Sequence, residues 1–162
     1  PAQLKRCQEL FETIIREEGQ TLLGWRELPT DDSQVGPTAR ACEPAFRQVF
    51  IGASKPGARE EFERRVYVIR KRVEHAVWSS DLTEKGLFYI PSLSSRTLIY
   101  KGMLTGNQIE AMFPDVTDPD VESALALVHQ RFSTNTFPAW ELAHPFRYIA
   151  HNGEIKIGRA HV

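Results

Sequence analysis

The chain has 162 residues, 41% of them apolar, 25% charged and 10% aromatic, a profile of one globular domain rather than of a disordered or repetitive segment. Its 20 basic and 21 acidic side chains leave a formal net charge of −1 with no basic block, which argues against a nucleic-acid partner. No run approaches the roughly 20 apolar residues of a membrane span, and no charged-then-apolar leader opens the sequence, so the expected location is the cytoplasm.

Residue 1 is Pro1, and an amphipathic pattern begins almost at once, so the expectation is a start in mid-domain. Leu4, Cys7, Phe11, Ile14 and Ile15 share one helical face and predict a helix over 2–18, with Gly19 placed to end it. Residues 21–28 form a short apolar strand candidate, and Pro29-Thr30-Asp31-Asp32-Ser33 carries turn chemistry. A second strand is expected over 47–51. From Glu60 to about His75, Phe62, Val66, Ile69, Val73 and Val77 recur every three or four residues and predict the longest helix. Two β-rich runs, 87–91 and 96–103, joined by Ser92-Leu93-Ser94-Ser95, suggest a hairpin or adjacent strands. A brief helix over 106–112 and an acidic, proline-punctuated loop over 114–120 follow. Strands are then expected over 124–131 and 146–151, separated by a long loop rich in Thr, Asn and Pro. Helices and strands mix without a βαβ rhythm, which favours an α+β fold over a doubly wound sheet.

Cys7 and Cys42 have neither metal-ligand spacing nor the density of a disulfide scaffold and are read as ordinary thiols. The last segment, Lys156-Ile157-Gly158-Arg159-Ala160-His161-Val162, resembles a translated sequencing adapter, AAG ATC GGA AGA GCA CAC GTC. It is set aside from fold reasoning, which leaves 1–155 as the expected domain and 156–162 as an expected artefact.

Reactive side chains are densest between His129 and Glu154, where Phe132, Phe137, Trp140 and Phe146 are interleaved with them, the layout of a small-molecule pocket with aromatic walls. One expected strand end delivers Arg131, whose planar donor fork suits a carboxylate. The other ends in Asn152-Gly153, an amide side chain and a backbone N–H that together can stabilise an oxyanion. Each feature has a plainer reading. Arg131 could form a structural ion pair, and Asn152-Gly153 could be a type I′ turn. His129, His144 and His151 could be zinc ligands, but their spacings match no compact ligand motif and no cysteine lies near them; no metal is expected.

The whole string weighs differently from its parts. His129-Gln130-Arg131-Phe132-Ser133-Thr134-Asn135-Thr136-Phe137-Pro138, then Trp140, Leu142-Ala143, Pro145-Phe146-Arg147 and Ala150-His151-Asn152-Gly153-Glu154-Ile155, closely resembles the amidotransferase domain of the glutamate synthase family. Upstream, Gly24-Trp25-Arg26, Phe62-Glu63-Arg64, Tyr67-Val68-Ile69-Arg70-Lys71-Arg72, Ser92-Leu93-Ser94-Ser95-Arg96-Thr97 and Tyr100-Lys101-Gly102-Met103-Leu104 resemble the same family in the same order. The resemblance covers about 1–155 and implies a partial αββα sandwich of the N-terminal-nucleophile hydrolase type. It implies hydrolysis of L-glutamine by an N-terminal cysteine thiolate through a glutamyl thioester, with the released ammonia channelled to the amination of 2-oxoglutarate. Arg131 matches the residue that holds the glutamine α-carboxylate, Phe132, Ser133 and Thr134 match neighbours lining the pocket, and Asn152 and Gly153 match the oxyanion pair; His144 matches a loop near the pocket and receives no catalytic step.

The resemblance also sets limits. The nucleophile of the family stands upstream of the first helix here, so neither Cys7 nor Cys42 takes that role, and the 162 residues alone are expected to be inactive. The acidic residue that binds the glutamine α-amino group lies downstream of the Asn-Gly pair. No cofactor is expected in this domain; FMN and an iron–sulfur cluster are implied for the intact parent. Implied partners are the remaining synthase domains of the same chain and a reductase small subunit or ferredoxin, and the location becomes the plastid stroma if the source is a plant. The alternatives are another class II amidotransferase, against which the Ser-Leu-Ser-Ser-Arg-Thr and Arg-Phe-Ser-Thr-Asn-Thr-Phe strings argue, and a noncatalytic glutamine-binding or regulatory domain.

Overall fold

The apolar stripe at the start of the chain forms the first helix, α1 (Ala2–Glu17), in a computed structural model that describes residues 2–55, 57–130 and 137–151. Gly19 ends it at φ 66°, the left-handed conformation that glycine adopts without a Cβ penalty. The Gln20 N–H bonds to the Ile15 carbonyl at 3.0 Å and the Gly19 N–H to that of Arg16 at 3.0 Å, the paired bonds of a Schellman cap. Strand β1 (Thr21–Glu27) follows, then a single-turn helix α2 (Pro37–Arg40), strand β2 (Arg47–Gly52), the long helix α3 (Arg59–Trp78) and the short α4 (Ile109–Met112), with 3-10 turns at Lys85–Leu87, Gly106–Gln108, Pro114–Thr117 and Trp140–Leu142. The described residues are therefore α+β, and their sheet is the antiparallel pair β1-β2.

The chain divides into two compact units. The first comprises Pro1–Leu28 and Pro44–Leu98. Phe11, Ile14 and Ile15 of α1 meet Ile69, Val73 and Val77 of α3, with Ile90 completing the buried cluster. The sheet lies against it through Leu22, Trp25, Val49 and Ile51. Strict alternation would send Leu22 and Trp25 to opposite faces of β1, because they stand three residues apart. The irregularity between Leu22 and Gly24 inserts one residue, so Leu22 pairs with Ile51 and Trp25 with Val49, and all four face the helices. Such a bulge resets the alternation of one strand; here it leaves Leu23 exposed.

Polar contacts trim the same unit. The Trp25 indole donates to Glu12 Oε1 at 3.0 Å while its ring meets Phe11 edge-on. Arg72 of α3 bridges Glu17 and Glu18 at the end of α1. Glu74 is buried, with Arg70 Nε at 2.9 Å and Lys71 Nζ at 2.7 Å. Burial pushes its carboxyl group up, but hydrogen bonds from Lys71 and Arg70 outweigh that and hold it below the usual range.

Two expected strands of this unit and its boundary are absent as ladders. Residues 87–91 begin in a 3-10 turn and continue without pairing, and residues 96–103 join no strand. Their β-branched and aromatic side chains favour extended backbone, but a strand also needs a partner. In place of a ladder, the Ser92–Thr97 segment is tied to α3: Glu63 accepts the Ser94 hydroxyl at 2.7 Å and the Ser95 N–H at 2.6 Å. Arg59 adds a bond from Nε to Ser95 Oγ at 3.3 Å, and Arg96 reaches Glu60.

The second unit comprises Pro29–Glu43 and Ile99–Val162. Among its described residues, the buried apolar side chains are Val35, Ala39, Met112, Phe113, Trp140 and Ala143. The Tyr100 hydroxyl donates to the buried Asp115 carboxylate at 2.7 Å, and the Trp140 indole N–H donates to the Ala39 carbonyl at 2.9 Å. Gly102 lies beneath the Trp140 ring so closely that a Cβ would stand 2.3 Å from Cζ3, which is why this position takes no side chain. The expected helix over 106–112 is present as the 3-10 turn running into α4. The expected strands over 124–131 and 146–151 are not: residues 124–130 are unpaired, and Phe146 and Ile149 form one isolated bridge around a tight turn. Arg147 occupies that turn at φ 51°.

Candidate functional site

The segments before Arg131 and before Asn152 converge. His129 Nε2 lies 2.8 Å from the carbonyl oxygen of His151; a carbonyl can only accept, so Nε2 carries the proton. The expectation that these two segments meet is met, although neither is a strand. Arg131, Phe132, Ser133 and Thr134, and likewise Asn152 and Gly153, lie outside the described residues. What the structure describes is the contact of His129 with His151; along the chain His129 stands two residues before Arg131, and His151 immediately before Asn152.

A third histidine fills the junction. The His144 ring stacks on His129 with centroids 4.6 Å apart, meets His151 edge-on at 4.9 Å and touches Phe146 edge-on at 4.9 Å. Its Nδ1 is buried without a hydrogen-bond partner among the described residues. Burial first, then the charges of His129, His151 and Lys101, push its pKa below the ordinary histidine value, which favours the neutral ring. Among the described residues, no group of three or more His, Cys, Asp or Glu side chains is disposed to hold a metal ion; the three rings meet by faces and edges.

Lys101 secures the loop that delivers His144. Its buried ammonium donates to the carbonyls of Glu141 at 2.7 Å and Ala143 at 2.9 Å, and lies 4.2 Å from the Phe146 ring centroid. Three donors on a compact cation suit this clustering of carbonyls and a π face. On the other side, Gln130 rests on Gly106, where a Cβ would come 2.9 Å from its Nε2. The aromatic walls expected from sequence are only partly there. Trp140 is buried in the unit's core, whereas Phe137 is 83% exposed, and Phe132 lies outside the described residues. From sequence the three histidines group only as candidate metal ligands and Lys101 does not stand out at all, since spacings along the chain say nothing about which rings stack.

Neither thiol has the surroundings of an activated nucleophile. Cys7 sits half-buried against the α1–α3 core, and burial pushes its pKa up, away from the reactive thiolate. Cys42 is exposed and donates weakly to the Thr38 carbonyl at 3.4 Å.

Comparison with known proteins agrees with the motif string. The family model of class-II glutamine amidotransferases matches residues 1–160, and the chain belongs to that family. Within it, the chain is 48% identical over 98% of its length to the glutamate synthase [NADPH] large chain of Bacillus subtilis, covering 10% of that protein. It is 43% identical over 96% of its length to the corresponding protein of Azospirillum brasilense, again covering 10%. A chloroplastic/mitochondrial ferredoxin-dependent glutamate synthase of Arabidopsis thaliana is 38% identical over 94% of the chain, which covers 9% of that relative. The chain thus spans about a tenth of the length of the curated relatives it matches. No helix among the described residues is long and apolar enough to cross a membrane.

Proposed function

We propose that these residues are part of the glutaminase site of a glutamate synthase, in which L-glutamine is hydrolysed and the ammonia is passed on to aminate 2-oxoglutarate. The observation that carries this reading is the family match over 1–160 together with the likeness to the glutamate synthases of Bacillus subtilis, Azospirillum brasilense and Arabidopsis thaliana. The convergence of His129 and His151 supports it, because it brings together the segments that lead into the substrate clamp and the oxyanion pair.

In this reading a cysteine thiolate from outside the 162 residues attacks the side-chain amide carbon of glutamine. Arg131 holds the α-carboxylate with its bidentate fork, and Phe132, Ser133 and Thr134 line the pocket. The negative charge that builds on the amide oxygen is taken by the Asn152 side chain and the Gly153 N–H. Collapse of that intermediate breaks the C–N bond and the nitrogen leaves as ammonia, taking the proton that the thiol gave to the cysteine's own α-amino group. Water then cleaves the thioester, its hydroxyl going to the acyl carbon and its proton to the sulfur, which releases glutamate and restores the thiol. The fold is proposed to be one part of an αββα sandwich. The outer face of the β1-β2 pair, which exposes Leu23 and Phe50, supports a further layer there.

FMN and an iron–sulfur cluster belong, in this proposal, to other parts of the parent. The residues present do not fit a cluster: two cysteines fall short of four thiolates, and among the described residues neither cysteine is grouped with histidines that could complete a mixed ligand set.

The test is Arg131→Ala in the intact parent, assayed with glutamine and with ammonia as nitrogen donor. Glutamine-dependent synthesis is expected to fall by about 10²-fold, on the scale of losing a bidentate charged contact, with ammonia-dependent synthesis retained because ammonia bypasses the pocket. Equal loss of both activities counts against the clamp.

A further inference from the structure

We propose that His144 is a positioning residue of the glutamine site, its ring forming the wedge that sets the distance between the segment leading into Arg131 and the segment leading into Asn152. This rests on the function proposed above. The His144 ring touches both segments at once, face to face with His129 at 4.6 Å and edge-on to His151 at 4.9 Å. The segments also bond directly through His129 Nε2 and the His151 carbonyl at 2.8 Å, so ring and hydrogen bond together define a short span. The wedge has its own support, because Lys101 clamps the Glu141 and Ala143 carbonyls just ahead of it. Consecutive Cα atoms are separated by about 3.8 Å, so a shift at His129 or His151 reaches Arg131 or Asn152 within one or two links. A misplacement of about 1 Å in such a constellation costs on the order of 10²-fold in rate.

The wedge works as a neutral ring. Burial acts on it most, and the neighbouring His129, His151 and Lys101, each cationic when ionised, act in the same direction; Phe146 packs on another edge. A second proton on His144 would therefore set like charges against one another and loosen the span.

The experiment uses the intact parent enzyme, the unmodified protein beside His144→Ala and His144→Phe. Glutamine hydrolysis and glutamine affinity by calorimetry are followed from about pH 5.5 to 8.5, bracketing ordinary histidine titration, with ammonia-dependent synthesis as the control for folding. His144→Ala is expected to raise KM and lower kcat, each by about tenfold, because it loosens a ground-state contact and a transition-state contact together. His144→Phe keeps a flat ring without a titrating proton; it is expected to stay within about threefold of the unmodified protein near pH 8 and to decline less steeply below about pH 6.5. Unaltered constants in His144→Ala, or an acid decline in His144→Phe that parallels the unmodified protein, would overturn the proposal. If His144→Ala also loses ammonia-dependent synthesis, the pH profile of His144→Phe decides. If the parent binds glutamine without hydrolysing it, the affinity profiles decide in the same way. A parent that neither binds nor hydrolyses glutamine overturns the proposed function and this inference together, whereas an active parent with the contrary variant pattern overturns the role of His144 alone.

Discussion

Asn152 and Gly102 carry different kinds of constraint. Asn152 is proposed to donate to charge that exists only during reaction, so Asn152→Ala in the intact parent is expected to slow glutamine hydrolysis by about 10²–10³-fold with a small change in KM. A near-normal kcat in steady-state assays would remove Asn152 from the oxyanion site. At Gly102 the constraint is steric, since a Cβ would stand 2.3 Å from Trp140 Cζ3 and 2.6 Å from Cε3. Trp140 cannot simply swing away, because it is buried and its indole is bonded to Ala39. Gly102→Ala is therefore expected to destabilise the second unit by about 1–3 kcal/mol, the usual cost of overpacking. Hydrogen exchange of peptides covering Trp140 in the parent would show it as faster exchange, and unchanged protection would mean that the ring has room to move.

At the scale of elements, α3 does more than fill the core of the first unit. Its N-terminal turns hold the Ser92–Thr97 segment through Glu63, Arg59 and Glu60. Burial raises the Glu63 carboxyl, but hydrogen bonds from Ser95 and Ser94 and the charge of Arg96 bring it below the usual range. Glu63→Ala removes the acceptor for both serines and is expected to cost about 1–2 kcal/mol locally, seen as preferential protease cleavage within 92–97. Cleavage no faster than in the unmodified protein would show that Arg59 and Glu60 suffice. The runs on either side of this latch were misleading in sequence. Residues 87–91 and 96–103 have strand-like composition, yet propensity becomes a ladder only beside a partner, and among the described residues neither run pairs with a strand, while Glu63 holds the Ser94-Ser95 connector between them. The two long helices were legible because an apolar stripe records the direction of the core. The bulge in β1 was not, because nothing local marks Leu23 as the extra residue until Val49 and Ile51 are set opposite.

Across the whole molecule, the α+β class followed from element order, but the site was legible in an uneven way. Arg131, Asn152 and Gly153 stood out through an ordered string of residue types, whereas the junction of His129, His144 and His151 required three-dimensional contacts. The acceptors of Lys101 are backbone carbonyls, and every residue has one, so no side-chain pattern could announce them. A two-stranded sheet is marginal without packing on a face, and α1 and α3 supply that face in the first unit, while in the second unit Trp140, Met112 and Phe113 are buried in or beside short helical turns.

The burial of Lys101 gives that loop-rich unit a built-in clock. An amine-acylating reagent attacks only a solvent-reachable, unprotonated lysine, and Lys101 is 5% exposed with Glu141 and Ala143 as acceptors. Under brief labelling read by mass spectrometry, Lys101 is expected to be acylated more slowly than exposed Lys55, at a rate set by how often the loop carrying His144 lifts away. Early labelling of Lys101 would mean that this loop opens freely in solution.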